Sequence, residues 1–161
     1  MRIFTHKRFY AAMCAILLFT AAAPAFSADD PKHIIKYRKG VMKAVSGHGK
    51  AMKSITSGKV SRTTDWKAHA EAMVSLATMS ATLFPKGTGP EAGKTRALPS
   101  IWEDKPKYDK INDQWVAAAK SMLAAANIGD LKAGQAAAKA LSKSCKDCHK
   151  PFRKKKKKKK K

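Results

Sequence analysis

Residues 131–152 read LKAGQAAAKALSKSCKDCHKPF. Leu131, Gly134, Ala138, Leu141, Cys145, Cys148 and Phe152 recur there in alternating steps of three and four. That period is the inward seam of a helix packed in a bundle. Cys145 and Cys148 fall on the seam less than one turn apart, so both thiols face one side. His149 follows directly. The run Cys145-Lys146-Asp147-Cys148-His149 is a C-x-x-C-H sequence, the signature of covalent c-type haem attachment. Its two thiols can add across the vinyl groups of a haem, and the adjacent imidazole can reach the iron as a proximal ligand.

Working back from this helix, three more are expected. Asp130 caps the last one, and Asn127-Ile128-Gly129 closes its predecessor, which starts near Asp104 to Pro106 and turns Ile111, Trp115 and Met122 inward. Thr63-Thr64-Asp65 opens a helix with Trp66, Met73, Leu76 and Leu83 inward, stopped by Pro85. Asp29-Asp30 before Pro31 opens the first. Its inward positions are Ile34, Val41, Val45, Met52 and Ile55, and Ser57-Gly58 ends it. Lysine stripes (Lys32, Lys36, Lys39, Lys43 and Lys50 in the first helix; Lys132, Lys139, Lys143, Lys146 and Lys150 in the last) face water. Residues 85–101, with their glycines and prolines, form one long loop, and a loop of that length in a small domain is often functional. The reading is all-α: an antiparallel four-helix bundle enclosing one covalent haem.

The chain has 161 residues, enough for one domain. Residues 1–27 read as a cleaved secretory signal: Arg2, Lys7 and Arg8, an apolar run from Phe9 to Thr20, then small residues up to a cut after Ala25 or Ser27. The apolar run is too short to span a membrane. The expected compartment is therefore the periplasm, with residues 28–153 as the helical domain and Lys154 to Lys161 as a lysine tail. Cys14 leaves with the signal, so only Cys145 and Cys148 remain. The formal charge is +23, of which the leader carries three positives and the tail eight, so the body keeps about +12. Such a surface favours acidic protein partners or, through the tail, an anionic membrane surface. Nucleic acid is not expected of an exported chain without a binding motif.

Taken together, these features resemble the class II c-type cytochromes, the family of cytochrome c′ and its low-spin, methionine-ligated relatives. The resemblance covers the whole mature chain. It rests on the C-terminal Cys145-Lys146-Asp147-Cys148-His149 followed by Phe152-Arg153, and on Lys36-Tyr37-Arg38-Lys39. The segments Leu83-Phe84-Pro85-Lys86-Gly87-Thr88-Gly89 and Thr95-Arg96-Ala97-Leu98-Pro99-Ser100-Ile101-Trp102 support it. It implies that Arg38 lies near a haem propionate, where a guanidinium donates paired hydrogen bonds. It also implies that Met42, one turn later, faces the open side of the haem. Val41-Met42-Lys43 is the run found in methionine-ligated relatives. Relatives include monomers and homodimers.

The expectation is a periplasmic electron carrier, not an enzyme, with one haem c held by Cys145 and Cys148 and ligated by His149 and Met42. His/Met ligation raises the reduction potential. If Met42 does not ligate, the iron is five-coordinate and binds small gases such as nitric oxide or carbon monoxide. From another class, a haem-free helical protein could use the same dithiol for redox exchange. Against that, a thioredoxin-like C-x-x-C opens a helix after a strand, and this one ends a helix. A zinc site would need a second ligand pair, which His33, His48 and His69 do not form in sequence. His48, between Gly47 and Gly49, reads as exposed surface. Trp102 reads equally as pocket lining or as core, and Arg153 as a haem-edge residue or the solvated start of the tail.

Overall fold

The computed structural model describes residues 29–155. The expected leader, residues 1–27, and residues 156–161 of the lysine run lie outside the described residues. Five helices follow one another: α1 (Pro31–Thr56), α2 (Trp66–Met79), the short α3 (Ser100–Glu103), α4 (Lys105–Ile128) and α5 (Leu131–Phe152). Among the described residues the only extended pairing is an isolated bridge between Ala97 and Arg153.

Local chemistry sets the helix ends. The Asp30 carboxylate accepts from the Lys32 amide at 2.8 Å, with Pro31 in the first turn. Asp104 does the same for Lys107 at 3.2 Å, and Asp130 for Ala133 at 2.9 Å. Gly129, at φ 69°, takes the left-handed turn that lets α4 stop and α5 begin two residues later.

Neighbouring long helices all run antiparallel. Trp66 at the start of α2 meets Met122 late in α4, and Ser80 beyond the end of α2 meets Tyr108 and Asn112 early in α4. Gln135 early in α5 donates to the carbonyl of Thr56 at the end of α1, 2.8 Å away. Each of α1, α2, α4 and α5 therefore packs on two others in an up-down-up-down bundle, as the seam periodicity predicts. Its main core holds Met52, Ile55, Trp66, Ala70, Met73, Ala77, Trp115, Ala119, Met122 and Leu141. A second, aromatic cluster of Ile101, Tyr108 and Phe152 lies at the end where α5 finishes, with Phe84, Trp102 and Cys148 packed on it.

Several expected positions shift. Early in α1, Ile35 is buried and Ile34 only half-buried. Arg38, a cation, occupies an inward position beside Val41. On α2, Ala77 is fully buried and Leu76 half-buried; on α4, Tyr108 and Asn112 are deeper than Ile111. Leu131, at the mouth of α5, is exposed because the bundle ends there. The helix expected to run to Pro85 stops at Met79 and tightens into a 3-10 turn over Ser80–Thr82. There the Ser80 hydroxyl turns back to the Ala77 carbonyl at 2.6 Å and meets the Asn112 side chain. His48, expected at the surface, is half-buried against His69 of α2.

The segment from Leu83 to Pro99 crosses the bundle end and is fastened at three places. Arg38, 3% exposed, donates to the Leu83 carbonyl (3.3 Å), to the Thr88 hydroxyl and carbonyl (3.0 and 2.9 Å) and to the Thr95 hydroxyl (3.2 Å). The Trp102 indole donates to the carbonyls of Phe84 and Pro85, both at 3.0 Å. The last turn of α5 is the third anchor: Leu98 N–H reaches the Phe152 carbonyl (3.0 Å), the Ser100 hydroxyl reaches that of Pro151 (2.8 Å), and Lys154 N–H reaches that of Arg96 (2.8 Å). Pro151 costs this turn one donor, and the loop supplies partners for its free carbonyls.

Two substitutions test this packing. A methyl group at Gly134 would stand 2.4 Å from two ring carbons of the buried Trp66. Gly134→Ala should therefore destabilise by about 1–3 kcal/mol in a urea melt; an unchanged midpoint contradicts the close approach. Arg38→Leu leaves the Thr88 and Leu83 carbonyls without their donor. It should lower stability by about 2–4 kcal/mol and open residues 86–94 to limited proteolysis, and an unchanged digestion pattern would contradict the anchoring role.

Candidate haem-attachment site

The last two turns of α5 present Cys145 and Cys148 half-buried, and neither is in a disulfide. Cys148 lies against the aromatic cluster, and Ser144 beside Cys145 is buried. The intervening Lys146 is exposed, and Asp147 takes an ion pair from Lys143 at 2.6 Å along the outer face. The motif thus divides as its spacing predicts, with thiols inward and charges outward. Burial pushes both thiols up: Cys145 by burial, and Cys148 to about 11, by burial first and then by Cys145. Both thiols are therefore uncharged at neutral pH, and their burial leaves no charge in the core.

His149 projects at the surface on the next position. The Arg153 guanidinium lies 3.4 and 3.5 Å from its two ring nitrogens. Desolvation, then Arg153 and Arg96, hold this imidazole below its ordinary range. The neutral ring keeps a lone pair, which is what a metal ligand requires. Sequence reasoning left Arg153 between the haem edge and the solvent; the structure sets it over the His149 ring.

Arg38 and the cysteine helix are linked by stacked rings. The Arg38 guanidinium sits 4.5 Å over Phe84, Phe84 meets Tyr108 at 5.4 Å, and Tyr108 meets Phe152 at 5.6 Å, all edge-to-face between rings. Burial lowers the proton affinity of Arg38, while Tyr108 and Glu91 oppose that shift. Its four hydrogen bonds end on carbonyls and hydroxyls, none on a carboxylate. Met42, one turn after Arg38, is half-buried and packs on the main core cluster. Phe84, Thr88 and Tyr108 were not singled out from the residues alone. Phe84 and Thr88 lie in the Leu83–Gly89 segment that carries the family resemblance, so a signal was present for them. Tyr108 had none beyond its helical position.

The donor set fits a c-type haem: two reduced thiols on one helix face, a neutral imidazole next to them, and an aromatic wall. One buried donor, the Trp115 indole N–H, lacks a partner among the described residues. No group of three or more His, Cys, Asp or Glu side chains among the described residues is arranged to hold a metal ion alone.

Comparison with known proteins agrees. The family model described as cytochrome C′ matches residues 33–153. A cytochrome c′ of Rhodospirillum rubrum is 33% identical over 143 residues, covering 89% of this chain and 94% of its own. One of Pararhodospirillum photometricum is 32% identical over 123 residues, covering 76% and 98%. Among solved structures, a nitric oxide complex of a mutant cytochrome c prime from Alcaligenes xylosoxidans superposes with a TM-score of 0.74 at 27% identity, covering 81% of this chain and 100% of its own. The chain belongs to the cytochrome c′ family, whose cofactor is one covalent c-type haem, and Cys145 and Cys148 are the thiols it offers for that bond.

Proposed function

We propose that the protein is an exported, periplasmic cytochrome c′ that takes small diatomic ligands, such as nitric oxide or carbon monoxide, on the haem face opposite His149 and turns over no substrate. The haem supplies the iron, its two oxidation states and its axial positions. Cys145 and Cys148 anchor it, His149 ligates one side in its neutral form, and Arg38 holds the crossing loop and offers a cation to a propionate. Met42 stands at the family's distal position. The observation that carries this reading is the packing of Met42, which lies half-buried against the main apolar core. An apolar residue there admits small neutral ligands, which lose little on leaving water, and disfavours water and anions. The likeness to a cytochrome c prime solved with nitric oxide supports the same reading. Export rests on the leader-like residues 1–27. Among the described residues no helix is long and apolar enough to cross a membrane.

A specific observation favours a second reading, a His149/Met42-ligated electron carrier. Met42 shares an inward face with Arg38 and is only half-buried, so a rotamer change could bring its sulfur to the iron. In either reading the basic body would dock an acidic redox partner, and the lysine tail could add an anionic membrane surface.

Absorption spectra of the mature holoprotein separate the two. The gas-binding reading predicts a high-spin spectrum, ready carbon monoxide binding to the reduced form, and a Met42→Ala variant that keeps its spin state while binding carbon monoxide several-fold faster. A low-spin spectrum that turns high-spin only in Met42→Ala would overturn it in favour of the carrier. The docking proposal has its own test. Raising ionic strength from about 10 mM to about 100 mM cuts the screening length from about 30 to about 10 Å, and electron exchange with an acidic partner should slow severalfold. A flat response removes electrostatic docking.

A further inference from the structure

Away from the haem motif, α1 and α2 bring two histidines together. His48 Nδ1 lies 3.0 Å from His69 Nδ1, with ring centroids 5.2 Å apart and planes at 66°. Both residues are half-buried, so the pair is shielded yet reachable from water. Gly47 is open: a side chain added there would meet nothing within 4 Å. We propose that His48 and His69 form an interhelical clamp for a divalent transition-metal ion, copper or zinc by preference, whose remaining positions are filled by water.

The geometry supports the clamp in two steps. Two neutral imidazoles this close share one proton, a donor on one Nδ1 and a lone pair on the other. When the donor ring moves its proton to Nε2, both Nδ1 lone pairs are free and an ion can take the shared proton's place. With metal–nitrogen bonds of about 2.1 Å, two adjacent ligands stand about 3.0 Å apart at a right angle and about 3.4 Å apart in a tetrahedron. In the tetrahedral case the ring centroids stand about 5.3 Å apart, close to their present separation. Turning the rings about their soft terminal torsions therefore opens the site without moving either helix.

The electrostatics agree. Burial, and then the neighbouring His69, hold His48 below its ordinary range, which leaves its lone pair free near neutral pH. Asp65, one turn before His69, is ion-paired with Arg62 at 2.5 Å and so adds no net charge beside the histidines. Imidazole donors select copper, nickel and zinc over magnesium and calcium, with copper(II) the strongest of the divalent series.

Titration calorimetry of the mature holoprotein with copper(II) chloride, and separately with zinc(II) chloride, tests this. The expected result is one ion per chain, with a copper(II) resonance spectrum split by two nitrogens. His48→Gln and His69→Gln should each weaken binding by about tenfold or more, having lost one of two protein donors, while His33→Gln leaves it unchanged. Absence of binding, equal binding by either clamp variant, or loss of binding in His33→Gln overturns the proposal. Where one clamp variant loses its native haem spectrum, the other decides alone.

Discussion

A helix that carries a covalently held cofactor must point two reactive side chains inward without leaving a hole or a charge in the core. α5 meets that constraint with an i, i+3 pair of thiols near its end. Further back, at Gly134, the same face closes onto Trp66 with no room for a methyl group. Towards its end it gives way to smaller or softer groups, Ser144, Cys145 and Cys148, and then Phe152. The tight half fixes the register of α5 against α1 and α2. That register sets where the thiols and His149 come to lie, so the site inherits its precision from packing several turns away.

Charge is handled by separation. The lysine stripes and the Lys143–Asp147 pair stay on the outer face, where such pairs add little stability. The exception is Arg38, almost fully buried and satisfied by loop oxygens. A buried cation bonded only to neutral acceptors is poorly compensated, which makes it a natural seat for an anionic group. The same bonds hold the crossing loop over the aromatic end of the bundle. Loop order and site electrostatics are therefore coupled through one side chain.

Much of this was legible in the sequence. The caps at Asp30-Pro31, Asp104 and Gly129-Asp130 are local chemistry, and the structure puts helix ends at those positions. The seam of α5 was legible at Gly134, Leu141, Cys145, Cys148 and Phe152, while Ala137 rather than Ala138 is the buried alanine and Leu131 is exposed; the bundle followed from the pattern. What stayed hidden depends on partners remote in the chain. Adjacent apolar residues offer alternative stripes a residue apart, so the choice of Ile35 over Ile34, and of Ala77 over Leu76, is settled by what packs on them: the crossing loop at Gly93 for Ile35 and the bundle core for Ala77. The end of α2 is settled by Ser80 meeting Asn112 across the bundle. His48 looked like surface because its flanking glycines carry no pattern; only the approach of α2 gives it His69. Arg38 was read for its chemistry towards a cofactor, while its hold on Thr88 and Thr95 needed the loop's path.

The claim beneath the rest is that one tetrapyrrole is bonded through two thioethers at residues 145 and 148. Peptide mapping by mass spectrometry of the mature, pigmented protein after acid–organic extraction tests it most directly. The account predicts that colour stays with the polypeptide and that the peptide spanning Cys145 to His149 carries the mass of one haem. Colourless protein whose Cys145 and Cys148 are recovered as free thiols or as a disulfide would contradict it.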